Sequence, residues 1–160
     1  MEINKVLFLL RHGEAALSSV SGRDFDRPLK ESGEKQLHRL SKTLKNKGLY
    51  FDLVLCSNAV RTLETEKIIE KYLPVKEAYF LSDLYEANPS KMLDLINGTS
   101  DEVRNLLIIG HNPGISALAA YLSGDNFINL RPGMMTKLDL FQSNWNMVGN
   151  NTGHLTEVLY

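Results

Sequence analysis

The sequence of 160 residues contains a single cysteine, Cys56. One cysteine excludes both an intrachain disulfide and a cysteine-rich zinc site. Basic and acidic side chains nearly balance, 18 against 19, so no polybasic surface points to nucleic acid or to an anionic membrane. No apolar run approaches the roughly 20 residues of a membrane span, and the first residues lack the pattern of a signal peptide. These absences predict a cytoplasmic protein that binds neither nucleic acid nor membrane.

The alternation of apolar and polar residues predicts a single α/β domain over residues 1–160, a length that can bury a substantial core without disulfides. Periodicity and turn residues predict strands over 6–10, 51–56, 75–80 and 106–109, and helices over 31–47, 60–72, 90–97 and 115–122. Two alternating segments, 136–141 and 154–159, flank turn residues and predict a C-terminal antiparallel hairpin. Ser90 is expected to cap its helix. The expected architecture is three-layer αβα around a mixed, mostly parallel sheet.

Charged and imidazole side chains follow the predicted strands at the points where the strands end. Val6–Leu10 is followed by Arg11-His12-Gly13-Glu14, and the strand over 106–109 by Gly110-His111-Asn112. Arg61 lies in the first turn of the helix after the second strand, where a basic residue opposes the helix dipole unless an anion is bound. Because ligands of open α/β sheets bind at the carboxyl ends of the strands, we expect these side chains to converge.

The chemistry of this set favours a tetrahedral dianion over a metal. Guanidinium groups match phosphate oxygens bidentately and stay charged at any working pH. A histidine serves as nucleophile, donor or proton carrier near neutrality. Zinc needs about three protein ligands and would be repelled by flanking arginines. We therefore expect no metal and no cofactor, and a phosphate or sulfate anion among Arg11, His12, Arg61 and His111.

Three segments resemble the signatures of the histidine phosphatase superfamily, also called phosphoglycerate mutase-like: Leu10–Glu14, Ser57–Thr65 and Gly110–Asn112. They occur in the family's order and span nearly the whole domain. The short length, the Arg-His-Gly-Glu-Ala opening and the run Leu84-Tyr85-Glu86-Ala87 are most similar to the SixA-type phosphohistidine phosphatases. Those proteins act on phosphohistidine in phosphorelay proteins.

The resemblance implies a phosphoglycerate mutase-like fold and a two-step mechanism. His12 attacks phosphorus and forms a phosphohistidine intermediate, which water then hydrolyses. Arg11, Arg61 and His111 hold the non-bridging oxygens and stabilise the charge of the transition state. Glu86 stands where larger members of the family carry the general acid. It is either that acid or an exposed loop carboxylate.

Polar residues beside the motifs have two interpretations each. Glu14 either orients Arg11 or a loop, or forms a plain salt bridge. Ser57 is expected to cap the helix that carries Arg61 rather than to donate to phosphate. Asn112 is expected to be a turn residue before a proline rather than a phosphate donor.

The chain departs from the commoner family pattern at two positions. Asn58 stands where proline is usual, and Lys30 stands where a threonine is frequent. The lysine removes a potential helix cap, so it affects stability rather than catalysis.

The leading hypothesis is a phosphatase that acts on the phosphohistidine of a phosphorelay protein. The chain between Ser57 and Ser100 leaves little room for a separate lid, and an open site suits a protein substrate. Imidazole also leaves more readily than an alkoxide, so a weak or missing general acid matters less. The alternative is a phosphatase of small monoesters, such as a sugar or nucleotide phosphate. That reaction requires Glu86, Asp24 or Asp26 to protonate the alkoxide. A binding module without turnover is a third reading, which the presence of His12 disfavours.

Overall fold

The computed structural model describes residues 4–160. Six strands and four helices follow one another in the order β1 (Val6–Arg11), α1 (Glu31–Asn46), β2 (Phe51–Ser57), α2 (Val60–Glu70), β3 (Val75–Leu81), α3 (Pro89–Asn97), β4 (Asn105–Gly110), α4 (Gly114–Ser123), β5 (Met135–Leu140) and β6 (Gly153–Leu159). Short 3-10 turns lie at Asp24–Asp26, Ser82–Leu84 and Trp145–Met147. The expected α/β class is confirmed.

The six strands form one mixed sheet in the order β3-β2-β4-β1-β5-β6. The four strands from β3 to β1 run parallel, while β5 and β6 are antiparallel to their neighbours. Strands β1 and β4 lie side by side at the centre, and their last residues, Arg11 and Gly110, are paired. The residues that follow these two strands therefore emerge together at one edge of the sheet.

Helices cover both faces of the sheet, because successive residues of the central strands point to opposite sides. Leu7 and Leu9 of β1 join a core cluster with α3 and α4. Phe8 and Leu10 join a second cluster with α1 and α2. All four side chains are fully buried. The three-layer αβα architecture predicted from the continuous apolar run is therefore confirmed.

Two details differ from the sequence predictions. Helix α2 ends at Glu70 rather than at residue 72. The cap of α3 is Asn88, whose side chain accepts from the Lys91 amide at 2.9 Å, so the prediction that Ser90 caps this helix is wrong. Pro89 at the first helical position moves the cap upstream, since a missing N–H costs nothing there. The expected C-terminal antiparallel hairpin is confirmed, since β5 and β6 pair antiparallel and are joined by residues 141–152, which carry the buried Trp145.

No helix within residues 4–160 combines the length and the apolar character needed to cross a membrane. Cys56 is a buried free thiol in β2, as expected for a small core residue. Lys30 precedes α1 without any side-chain cap, in line with the loss expected at that position.

Candidate active site

The carboxyl ends of β1 and β4 place two histidines against each other. His12 follows β1 directly and His111 follows β4 directly, and their ring centroids are 5.2 Å apart. The chain turns at Gly13, whose amide donates to the Thr65 hydroxyl of α2 at 3.2 Å. A side chain at position 13 would start 2.9 Å from the carbonyl oxygen of Gly33 in α1. The loop after β1 is therefore held by close backbone packing against α1 and by a hydrogen bond to α2.

His12 has a defined tautomer. Its Nδ1 lies 2.7 Å from the carbonyl oxygen of Gly13, which can only accept, so Nδ1 carries the proton. Nε2 is then the nitrogen with a free lone pair, and it accepts from Arg61 Nε at 3.3 Å. Burial, together with the nearby arginines, lowers the pKa of His12 to about 4. The ring is neutral near pH 7, with its free lone pair on Nε2.

Arg61 lies in the first turn of α2 and is almost fully buried. Besides Nε on His12, its Nη1 donates to the carbonyl oxygen of Asp24 at 2.9 Å and its Nη2 to the Asp24 carboxylate at 3.1 Å. The carbonyl oxygen of Arg61 accepts from the Thr65 hydroxyl at 2.7 Å. A single guanidinium therefore joins the nucleophile to the loop that precedes α1.

His111 faces Ser57 at the end of β2, with Nε2 2.8 Å from the hydroxyl oxygen. Its Nδ1 is buried and has no hydrogen-bond partner among residues 4–160. Burial, with smaller contributions from His12 and Arg61, lowers its pKa to about 3, so this ring is neutral as well. Ala59 occupies the N-cap position of α2 and provides no side-chain cap. The expectation that Ser57 caps α2 is therefore wrong. Its hydroxyl accepts from the amide of Ala59, the residue before the helix, at 3.3 Å, and it also contacts His111.

Arg11 points along the same edge of the sheet. Its Nη1 donates to the carbonyl oxygen of Leu130 at 3.1 Å, and its Nε has no partner in the described part of the chain. Burial, followed by repulsion from Arg61, lowers the pKa of the guanidinium, which nevertheless stays charged. The side-chain amide of Asn112 donates to the carbonyl oxygen of Leu130 at 2.8 Å, and its side-chain oxygen accepts from the Ser116 hydroxyl at 2.6 Å. The turn interpretation of Asn112 agrees with these contacts.

Glu14 does not contact Arg11 directly. Its carboxylate accepts from the Ser32 hydroxyl at 2.8 Å and from Lys30 at 3.4 Å, at the start of α1. The hydrogen bond from Ser32 is the main reason that the pKa of Glu14 is lowered. The salt-bridge interpretation therefore fits, and Glu14 fastens the loop after His12 to α1.

A cleft of about 500 Å³ opens beside these residues. Arg61 and His111 form its floor, and Glu86 lies exposed on its wall. His12 and Arg11 do not line the cleft. His12 is buried, and its Nε2 is covered by Arg61 Nε. No group of three histidine, cysteine, aspartate or glutamate side chains that could hold a metal ion occurs within residues 4–160.

Two contributors to the site have weaker sequence signals. Asp24 belongs to the 3-10 turn of the loop before α1, and its carboxylate accepts from Arg61, Arg27 and the Tyr85 hydroxyl. The Tyr85 ring lies edge-on to His111, with centroids 5.6 Å apart. The sequence offered Asp24 only as a possible acid and Tyr85 only as part of a motif. Asp24 and Tyr85 lie 61 residues apart in sequence, so no local sequence pattern indicates their contact.

The edge of the three-layer sheet thus holds a neutral histidine, His12, in contact with the guanidinium of Arg61. Residues 7–96 match the model of the histidine phosphatase superfamily, branch 1. An uncharacterized protein of Mycobacterium tuberculosis is 33% identical over 114 residues, which are 71% of this chain and 70% of that protein. The chain belongs to the histidine phosphatase superfamily.

Solved structures share the whole fold. A candidate phosphohistidine phosphatase SixA from Nakamurella multipartitia superposes with a TM-score of 0.83 at 24% identity, over 98% of this chain and 96% of that one. The protein histidine phosphatase SixA complexed with tungstate superposes with a TM-score of 0.82 at 22% identity, over 96% of each chain. The phosphoglycerate mutase-like fold expected from the resemblance is therefore confirmed.

Proposed function

We propose that this protein is a phosphohistidine phosphatase that acts on a phosphorylated histidine of a phosphorelay protein. The observation that carries the proposal is the state of His12: Nδ1 is fixed on the Gly13 carbonyl, Nε2 is free of a proton, and the pKa is about 4. Arg61 Nε contacts this nitrogen and the His111 ring lies 5.2 Å from the His12 ring, so these two residues, with Arg11 directly before His12, are available to bind a tetrahedral oxyanion. The fold shared with SixA structures, one of them complexed with tungstate, supports the same reading.

In the first step, the lone pair of His12 Nε2 forms a bond to phosphorus while the bond from phosphorus to the leaving group breaks. The lone pair must first lose its hydrogen bond from Arg61, whose Nε then points to a phosphoryl oxygen. Nδ1–H stays on the Gly13 carbonyl, so the phosphorylated ring carries a positive charge that this carbonyl stabilises. Charge on the equatorial oxygens is offset by Arg11 and Arg61.

In the second step, water attacks phosphorus from the cleft and the electron pair of the P–N bond returns to Nε2. Both hydrogens of the water remain on the product, which leaves as dihydrogen phosphate and then ionises. The imidazole of His12 regains its original tautomer without an external acid. When the Ser57 hydroxyl donates to Nε2 of the neutral His111, Nδ1 carries the proton and, having no partner among residues 4–160, is available to a phosphoryl oxygen.

The test measures phosphate release from a phosphohistidine-bearing protein and from a panel of small monoesters. We expect release from phosphohistidine by the wild type and at least a 10³-fold loss in His12→Ala. His38→Ala is the matched control, since His38 contacts Tyr72 between α1 and α2 and lies away from the cleft. Release from monoesters alone would refute the assignment of the substrate.

The alternative is a phosphatase of small monoesters, and the position of Glu86 on the cleft wall favours it. An exposed carboxylate there could protonate an alkoxide leaving group. This reading predicts that Glu86→Gln lowers turnover of alkyl phosphates by about 10²-fold or more. Unchanged turnover would remove Glu86 from the catalytic residues.

A further inference from the structure

The carboxylate of Asp24 is held in the cleft by donors from three segments of the chain. Oδ2 accepts from the Tyr85 hydroxyl at 2.5 Å and from Arg61 Nη2 at 3.1 Å, and Oδ1 accepts from Arg27 Nε at 2.8 Å. Its side chain is nevertheless 55% exposed. A carboxylate has about four acceptor positions, so one remains for a group that enters the cleft.

The proton state of Asp24 makes it an acceptor. The hydrogen bond from Tyr85, with those from Arg27 and Arg61, lowers the pKa of this carboxyl to about 2. At neutral pH the group is therefore an anion and has no proton to give. This anionic state disfavours the hypothesis that Asp24 protonates an alkoxide. Asp24 is instead suited to accept a hydrogen bond.

Resting on the proposed function, we infer that Asp24 is a specificity-determining residue for the leaving group. Its free acceptor position takes a hydrogen bond from the N–H of the substrate imidazole and selects N-phosphoryl over O-phosphoryl substrates. Three observations carry the inference: Asp24 lines the same cleft as Arg61 and His111, it contacts Arg61 directly, and more than half of its side chain is exposed.

The chemistry of the first step accounts for the selection. A substrate imidazole that carries phosphorus on one nitrogen and a proton on the other is cationic, and a neighbouring carboxylate stabilises this form. The lone pair of His12 Nε2 forms the new P–N bond, and the electron pair of the old bond moves onto the departing ring nitrogen. The ring leaves neutral, with its other N–H still on Asp24, so no proton has to be supplied.

The Asp24 carboxylate has the opposite effect on the leaving group of a monoester. When the P–O bond breaks, its electron pair and a negative charge move onto the departing oxygen. An ionised carboxylate beside that oxygen repels the developing charge. The same residue therefore assists one class of leaving group and hinders the other, which a residue that only orients Arg61 could not do.

The test compares wild type, Asp24→Asn and Asp26→Asn with two substrates, phosphohistidine and p-nitrophenyl phosphate. Asp26 is the matched control, since it lies in the same turn and its carboxylate contacts Ser21 and Arg23 rather than Arg61. We expect Asp24→Asn to lower the ratio of kcat/KM for phosphohistidine to that for p-nitrophenyl phosphate by at least tenfold. Asp26→Asn should leave the ratio within twofold of the wild type.

An equal loss on both substrates would overturn the inference and leave Asp24 as a positioning residue for Arg61. Asp24→Ser, which also removes the charge, gives a second measurement of the ratio if the asparagine variant melts far below the wild type. Failure of the proposed function is recognised separately. In that case the wild type releases phosphate from the monoester but not from phosphohistidine, or from neither.

Discussion

Replacing Gly33 with alanine should lower the activity of the candidate active site, although Gly33 is not one of the residues of that site. A Cβ at position 33 would lie 2.2 Å from the carbonyl oxygen of Glu14 and 2.8 Å from its amide nitrogen. Carbon and oxygen atoms in close contact are ordinarily about 3.3 Å apart, so the loop after His12 must retreat by roughly 1 Å. A misplacement of about 1 Å near the reacting atoms costs on the order of 10²-fold in rate. We therefore expect kcat/KM to fall by about this factor.

The effect on stability is smaller, because two contributions oppose each other. Overpacking costs about 1–3 kcal/mol, whereas alanine gains up to about 1 kcal/mol over glycine within a helix. The assay pairs kcat/KM on phosphohistidine with thermal melting and with calorimetric titration of tungstate. Glu34→Ala, an exposed position in the same helical turn, is the control. Wild-type kinetics and wild-type tungstate affinity in Gly33→Ala would refute the packing argument.

Acid should destabilise the fold, because the folded chain keeps His12 and His111 neutral, with pKa values of about 4 and about 3, while an unfolded histidine takes up a proton near 6.5. The free energy of unfolding should fall as pH drops from 7 to 4 in urea melts, and a flat profile would contradict this. Glu66 acts in the opposite sense, since burial raises its pKa to about 7. The stability that its protonated form contributes is lost as pH rises through that value, so Glu66→Gln should stabilise the protein by roughly 1–3 kcal/mol more at pH 8 than at pH 5. Ser57→Ala should lower kcat/KM by about tenfold or more, since His111 loses its tautomer partner. Ser41→Ala, which removes a buried hydroxyl with no partner among residues 4–160, should leave kinetics unchanged.

The sequence predicted those parts of the site that depend on strand ends. Val6–Leu10 is apolar at every position, which is typical of a strand covered on both faces, and the next two residues had to emerge at the sheet edge. The same reasoning placed His111 after β4. Parallel pairing of β1 with β4 then brought both histidines together, so no information beyond topology was needed.

Contacts made by loops could not be predicted in the same way. Asp24 reaches Arg61 and Tyr85 only because the loop between β1 and α1 folds back over the cleft. Such a contact joins residues far apart in sequence and leaves no periodic signal. The cap prediction for Ser57 failed for a related reason. A serine before a helix favours a cap, but Ser57 lies two residues before the cap position, and its hydroxyl contacts His111 from another strand.

In the proposed mechanism, Arg61 makes substrate binding and activation of His12 the same event. Its Nε occupies the lone pair of His12 Nε2, which cannot accept that hydrogen bond and attack phosphorus at once. Its Nη atoms meanwhile bind Asp24. When the oxygens of a phosphoryl group bind the Arg61 guanidinium, the lone pair of His12 therefore becomes free. The contact between Arg61 and Asp24 weakens at the same time. Without such an anion, the nitrogen stays covered, so the protein should react poorly with compounds that present no phosphoryl oxygens to Arg61.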